Sequence, residues 1–337
     1  MADSPGNPPP QEGDPKNDAS KKLINLLRGW PSPHLLPAAL LRSAADYVLS
    51  DPSIAVPVLQ YGIDPGYQPL REELARWLTP QYGFSEIRAD EIAISGGASQ
   101  SLACVLQSFT DPGYTRAVWA VAPCYFMACP IFEDAGFWGR LRAVPEDEGG
   151  VDVEALARGL REVDARGGED HPFKSPAPHR KTYRHVIYLV ATAANPSGKT
   201  LSLARRHQLV HLAREHDALI ISDDVYDLLQ WPHFSHAISN ASFSKLVGPG
   251  MRTGWIHASP DFAAGFAHTG TNRSGGAASQ FAAAVVWRML QCGDLQAHLD
   301  GTVRPALRRR HALMGDVGTN PSRIPAIQRF PLPNRLI

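Results

Sequence analysis

The chain has 337 residues, 33 of them basic and 33 acidic, for a formal net charge of zero, and that balance leaves no electrostatic footprint for nucleic acid or for an anionic membrane. No apolar run approaches the roughly 20 residues needed to span a bilayer, and the acidic, proline-rich start is unlike a secretory signal. The length accommodates one large domain with a smaller one beside it.

Residues 1–20 are rich in Pro, Gly, Asp and Asn, the composition of a disordered tail. Residues 21–60 read as an N-terminal arm: Arg28-Gly29-Trp30-Pro31 is a turn, and 37–49 a helix with Leu40, Leu41, Ala44, Ala45 and Val48 on one face. A turn-rich segment from Tyr61 to Arg71 leads into a helix that ends near Trp77. Residues 91–95 form a short strand, followed by Gly96-Gly97-Ala98-Ser99-Gln100 and an apolar helix over 101–109. A Gly-rich turn into a helix start offers the free amides of Gly97, Ala98 and Ser99, and the positive dipole end, to an anion. A strand over 117–122 ends at Pro123-Cys124-Tyr125, and 151–163 is a helix. Residues 166–184 are charged, carry three prolines and read as a surface insertion. Cys104, Cys124, Cys129 and Cys292 show no C-x-x-C pair and no metal-ligand spacing, so they read as reduced thiols of a cytoplasmic protein with no metal site.

Apolar runs over 186–190 and 218–222 read as buried strands, with an amphipathic helix over 202–216 between them. Strand, helix, strand makes a right-handed parallel unit, so Asn195 and Asp223 lie together at the carboxyl edge of a sheet, where open α/β folds bind ligands. A strand over 255–258 follows, then helices over 276–290, near Leu295 and over 303–314.

The stretch from Ser242 to Arg252 carries the chemistry. Ser242 and Ser244 bracket Phe243 just before Lys245, and Arg252 follows seven positions later. Two hydroxyls and a guanidinium hold a phosphate dianion, and a lysine beside that phosphate can form a Schiff base with an aldehyde that carries it. Taken alone, S-x-S-K more often marks a solvated loop lysine. With Asp223 to keep a pyridine nitrogen protonated, and with Tyr226 and Asn195 to donate to a ring phenolate, the set fits pyridoxal 5′-phosphate (PLP).

N-P-x-G at Asn195, D-D-x-Y at Asp223 and S-F-S-K-x-x-x-P-G-x-R at Ser242 together resemble the class I/II aminotransferases of PLP fold type I, closest to the 2-aminoadipate and kynurenine aminotransferase-like subgroup. The resemblance runs from about Leu26 to about Met314. It implies an α/β fold, with a mostly parallel seven-stranded sheet, flanking helices and an incomplete small domain. It places the PLP-binding large domain at 61–275, the helical start of the small domain at 276–315 and an irregular tail at 316–337. It implies that Lys245 is catalytic and PLP-binding. Tyr125 stacks on the cofactor, and Ser242, Ser244, Arg252 and the amides of Gly97, Ala98 and Ser99 hold its phosphate. Tyr61 reaches across a homodimer to the partner's phosphate. Gly29-Trp30-Pro31 resembles a loop on the substrate side of the cofactor.

The implied reaction moves an amino group between an amino acid and a 2-oxo acid, with no nucleic-acid or membrane partner. Alternatives are a PLP lyase or decarboxylase on the same site, or a catalytically weak, truncated relative. The chain departs from the family twice. Only 22 positions separate Asp223 from Lys245, and no arginine after Met314 matches the motif that clamps the substrate carboxylate. A truncated or mis-spliced chain accounts for both.

Overall fold

The computed structural model describes residues 29–175, 177–229 and 238–319, with side chains through 312. In chain order the elements are α1 (Ala38–Ser50), α2 (Pro52–Val58), α3 (Gln68–Tyr82), β1 (Ile92–Ser95), α4 (Ala98–Phe109), β2 (Ala117–Ala122), α5 (Ala128–Phe132), β3 (Leu141–Asp147), β4 (Gly150–Val151), α6 (Val153–Ala165), β5 (His185–Leu189), α7 (Leu203–Glu215), β6 (Ala218–Asp223), β7 (Ser239–Ser242), β8 (Gly254–His257), α8 (Pro260–Ala267), α9 (Gln280–Gln291), α10 (Asp294–His298) and α11 (Arg304–Thr319). Residues from Pro31 onward form one unit, and Gly29 and Trp30 belong to another. Arg28, the tail over 1–20 and residues 320–337 lie outside the described residues, as does 230–237, the middle of the short Asp223–Lys245 connection.

The strands form one sheet in the order β1-β8-β7-β6-β5-β2-β3-β4. From β7 through β3 every neighbour is parallel, and β8 runs antiparallel to β1 and β7. The seven strands that the resemblance implies are joined by an eighth: β4 is a two-residue strand lying antiparallel against β3.

Alternation of side chains along the strands builds a core on each face. Val118, Val186, Tyr188, Leu219 and Ile221 pack with Leu102, Phe109, Phe132 and Phe262 of α4, α5 and α8. Their neighbours Trp119, Ile187, Leu189 and Ile220 pack with Leu156, Leu160, Leu209 and Leu212 of α6 and α7. A further cluster joins Ile92, Ile94, Ala241 and Trp255 of the sheet to Leu70, Leu74, Val286 and Met289 of α3 and α9.

Helix starts follow local capping. Asp152, Ser202, Ser259 and Ser279 each accept a hydrogen bond from a first-turn amide, and Pro260 sits in the first turn of α8, where its missing N–H costs nothing. α3 runs past Trp77 to Tyr82 and stops at Gly83 in the left-handed region (φ 68°). α4 begins at Ala98, three residues before the expected start, because Gly97 is its N-cap. No helix among the described residues is long and apolar enough to cross a membrane.

Candidate active site

Three parallel strand ends and one helix start converge at the carboxyl edge of the sheet. β6 ends in Asp223, β7 in Ser242, and the turn after β5 carries Asn195, while α4 points its first turn at the same place. Within this arrangement the Ser-Phe-Ser-Lys stretch is a 3-10 turn. Ser244 N donates to Ser242 Oγ at 3.1 Å, and the two hydroxyls are hydrogen-bonded at 2.9 Å. Arg252 sits in the left-handed region (φ 46°), which turns its guanidinium back over this turn. Its Nη1 donates to Ser244 Oγ at 3.3 Å and to the Pro249 carbonyl at 2.8 Å, and its Nη2 donates to the Gly96 carbonyl at 2.9 Å.

Gly97 completes the cup. Its φ is 108°, a conformation L side chains rarely adopt, and a Cβ added there would lie 2.6 Å from Arg252 Nη2, so a side chain here would strain the backbone and push the guanidinium aside. Gly97 N donates to Ser95 Oγ at 3.3 Å. Ala98 and Ser99 follow it in the first turn, where amides have no intrahelical acceptor. Asn240 Nδ2 donates to the Ala98 carbonyl at 2.9 Å, which ties β7 to the start of α4.

Asp223 is buried, and Tyr188 Oη donates to its Oδ2 at 2.7 Å. Its Oδ1 is buried and has no hydrogen-bond partner among the described residues. Burial pushes this carboxyl up to about 6, against the hydrogen bond from Tyr188 and the charge of Lys245, which favour the anion. Lys245 is held below its ordinary 10.5 by burial, with Asp223 opposing. Its Nζ lies 5.9 Å from the centre of the Tyr226 ring. Burial raises the Tyr226 phenol, with smaller contributions from Asp223 and Tyr125, while its hydrogen bond with Asn195 lowers it. Asp224 faces away from this group. Ser222 Oγ donates to its Oδ1 at 2.6 Å, and burial followed by the charge of Asp227 raises it well above the carboxylate range. Tyr82 Oη donates in turn to Asp227, whose carboxyl burial carries to about 7.

Gly97, Ala98, Asn195, Asp223, Tyr226, Ser242, Ser244, Lys245 and Arg252 thus come to one end of the sheet, with Ser99 exposed on the first turn of α4 and half-buried Tyr125 beside Tyr226. Tyr61 does not join them: it is 78% exposed. Tyr188 and Asn240 belong to the site, though Tyr188 lies inside an apolar strand run and no motif marks Asn240. The one clue to Tyr188 is a hydroxyl inside an otherwise apolar run, which needs a buried partner.

These residues fit PLP. A buried, unpartnered carboxylate oxygen is what a protonated pyridine nitrogen needs, and the cup of two hydroxyls, a guanidinium and helix amides suits a phosphate.

Residues 31–318 match the family described as aminotransferase class I and II. An uncharacterized protein of Saccharomyces cerevisiae is 34% identical over 331 residues, covering 82% of this chain and 74% of the relative. Aromatic-amino-acid aminotransferase 1 of Thermococcus litoralis is 27% identical, covering 87% of this chain and 67% of the relative. The 2-aminoadipate transaminase of Thermus thermophilus is also 27% identical, and this chain spans 56% of it. Among solved structures, the kynurenine aminotransferase of Pyrococcus horikoshii superposes with a TM-score of 0.71 at 28% identity, covering 86% of this chain and 69% of its own.

Proposed function

Because the chain belongs to the class I and II aminotransferases, we propose that it moves an amino group between an amino acid and a 2-oxo acid, with PLP held at the end of β6 and β7. When bound, PLP supplies an aldehyde that holds the amino group and a ring that accepts the electron pair left at the substrate Cα. The observation that carries the reading is Asp223 Oδ1, buried and unpartnered within the electrostatic reach of Lys245.

Each residue then has a task. Asp223 keeps a proton on the ring nitrogen. Tyr226 and Asn195 donate to the ring oxygen, and Tyr125 stacks on the ring. Ser242, Ser244, Arg252 and the amides of Gly97, Ala98 and Ser99 hold the phosphate. Lys245 would anchor the cofactor through Nζ and, when free, would take the proton from the substrate Cα and deliver it to the carbon of the cofactor's aldehyde group. Burial supports that role, because it lowers the Lys245 pKa and so favours the neutral amine that a base requires.

A homodimer fits the exposed side chains around Tyr61, where Val56, Leu59 and Ile63 are also largely exposed. In that reading Tyr61 completes the partner's phosphate site, and α9 to α11 begin the small domain. Four free thiols support a cytoplasmic setting. The characterised relatives quoted above are aminotransferases, and none supports a lyase.

The test is spectroscopic. Purified chain with PLP should show the visible absorbance of lysine-bound cofactor, locked by borohydride and missing in Lys245→Ala. Aromatic amino acids, kynurenine and 2-aminoadipate, taken from the relatives' names, form the first donor panel, and a productive donor should bleach the band. A reducible band that survives in Lys245→Ala would place the anchor on another lysine.

A further inference from the structure

Cys124 and Cys129 are five positions apart, a spacing that suggests no pairing in the sequence. The turn from β2 into α5 nonetheless brings their Sγ atoms to 4.0 Å, and both residues are half-buried. Two backbone bonds close that turn: Ala128 N donates to the Tyr125 carbonyl at 3.0 Å and Cys129 N to the Phe126 carbonyl at 3.1 Å. Tyr125, which follows Cys124 in the chain within this turn, borders Tyr226 and Tyr188. Cys124 also lines a cavity shared with Tyr188 and Asn195.

We propose that Cys124 and Cys129 form a dithiol modification site, at which a peroxide makes a disulfide that displaces Tyr125. A disulfide bond is about 2.05 Å long, so the two sulfurs must approach by about 2 Å to form it. Burial, with Cys129 beside it, pushes the Cys124 thiol up to about 11. Cys124 therefore keeps its proton at neutral pH, and the two sulfurs stand within weak hydrogen-bond reach of each other.

In the first step the Cys129 sulfur attacks one peroxide oxygen, the O–O bond breaks, and the second oxygen leaves as water with the Cys129 proton. In the second step the Cys124 sulfur displaces hydroxide from the resulting sulfenic acid, and the Cys124 proton leaves with it as water. Two thiols and one hydrogen peroxide become one disulfide and two waters, with sulfur oxidised and oxygen reduced by two electrons. The effect on cofactor binding rests on the stacking role proposed for Tyr125, whereas the crosslink itself does not.

Trypsin releases both cysteines on one peptide, residues 117–140, because no Lys or Arg lies between Arg116 and Arg140. The full chain, treated with equimolar hydrogen peroxide and then iodoacetamide, should yield this peptide unalkylated and two hydrogens lighter, and dithiothreitol should reverse the change. Cys124→Ser and Cys129→Ser should each abolish the lighter peptide. Oxidised protein should bind PLP about two- to tenfold more weakly, the size of one lost aromatic stack. If both cysteines remain alkylatable while exposed Cys292 is oxidised, the site is refuted. A crosslink that leaves PLP affinity unchanged overturns the displacement of Tyr125. Reduced protein that binds no PLP, yet forms the crosslink, upholds the dithiol site and refutes the proposed function.

Discussion

Asp223→Asn should stabilise the chain without cofactor and disable it with cofactor. The buried carboxyl titrates at about 6 in place of an ordinary 3.8. That gap of about 2 pKa units, at about 1.36 kcal/mol each, corresponds to roughly 3 kcal/mol. The sign follows from proton binding. Between about pH 4 and 6 the native state holds a proton that the unfolded state has lost, so stability falls as pH rises through that window. The full cost is present at pH 7.5 and absent below about 4. Asparagine removes the charge and keeps an acceptor for Tyr188, though Lys245 loses its partner, so a net gain of roughly 2–3 kcal/mol is expected. Urea melts of cofactor-free protein read this as a shifted midpoint at an unchanged slope. The gain should vanish at pH 4. With PLP added, the same variant should lose on the order of a hundredfold or more in kcat/KM, the scale of removing one preorganised electrostatic group. A cofactor-free variant less stable than wild type at pH 7.5 would refute the account, since it would mean that the Asp223 charge is well compensated without a ligand.

Other substitutions separate the parts of the site. Asp224→Ala should leave PLP affinity within a few-fold while Asp223→Ala abolishes it; equal losses by equilibrium dialysis would mean that both carboxylates face the ligand. Gly97→Ala places a methyl 2.6 Å from Arg252 Nη2; it should weaken binding of PLP, but not of phosphate-free pyridoxal, by roughly tenfold or more, one charge-assisted hydrogen bond's worth, and parallel losses for the two would move the phosphate elsewhere. Tyr188→Phe removes a donor that favours the Asp223 anion, so the carboxyl should titrate still higher in cofactor-free protein, measured by isotope-edited infrared spectroscopy; an unshifted or lower titration would refute the hydrogen bond as a determinant.

Much of the site can be read along the chain because its motifs lie at strand ends bounded by apolar runs. The runs before Asn195 and Asp223 became β5 and β6 within a residue or two. What escaped is what no local pattern marks. β7 is Ser-Asn-Ala-Ser, fully buried yet mostly polar, because Asn240 bonds to α4 and Ser242 to the Ser-Lys turn, while only Ala241 joins an apolar cluster. β3 carries Arg142, Pro145 and Glu146 next to the two-residue edge strand β4 and shows no clean alternation. α8 is marked locally only by its Ser259-Pro260 start. Gly97, Arg252 and Gly254 meet only after the chain has turned back on itself: a Cβ at Gly254 would lie 2.9 Å from Gly97 Cα.

The rung that pairs Asp223 with Asn240 makes the site a yardstick. Ser242 lies two residues farther along the neighbouring strand. One strand spacing of about 4.8 Å and a rise of about 6.6 Å set the carboxylate-bearing and hydroxyl-bearing backbone positions about 8 Å apart. Side-chain rotation does not change that interval, and altering it would mean breaking the ladder between β6 and β7. Molecules are therefore graded here by reach, in that one whose basic nitrogen and anionic tail stand a carbon too close or too far can engage one end of the gauge and leave the other unmet.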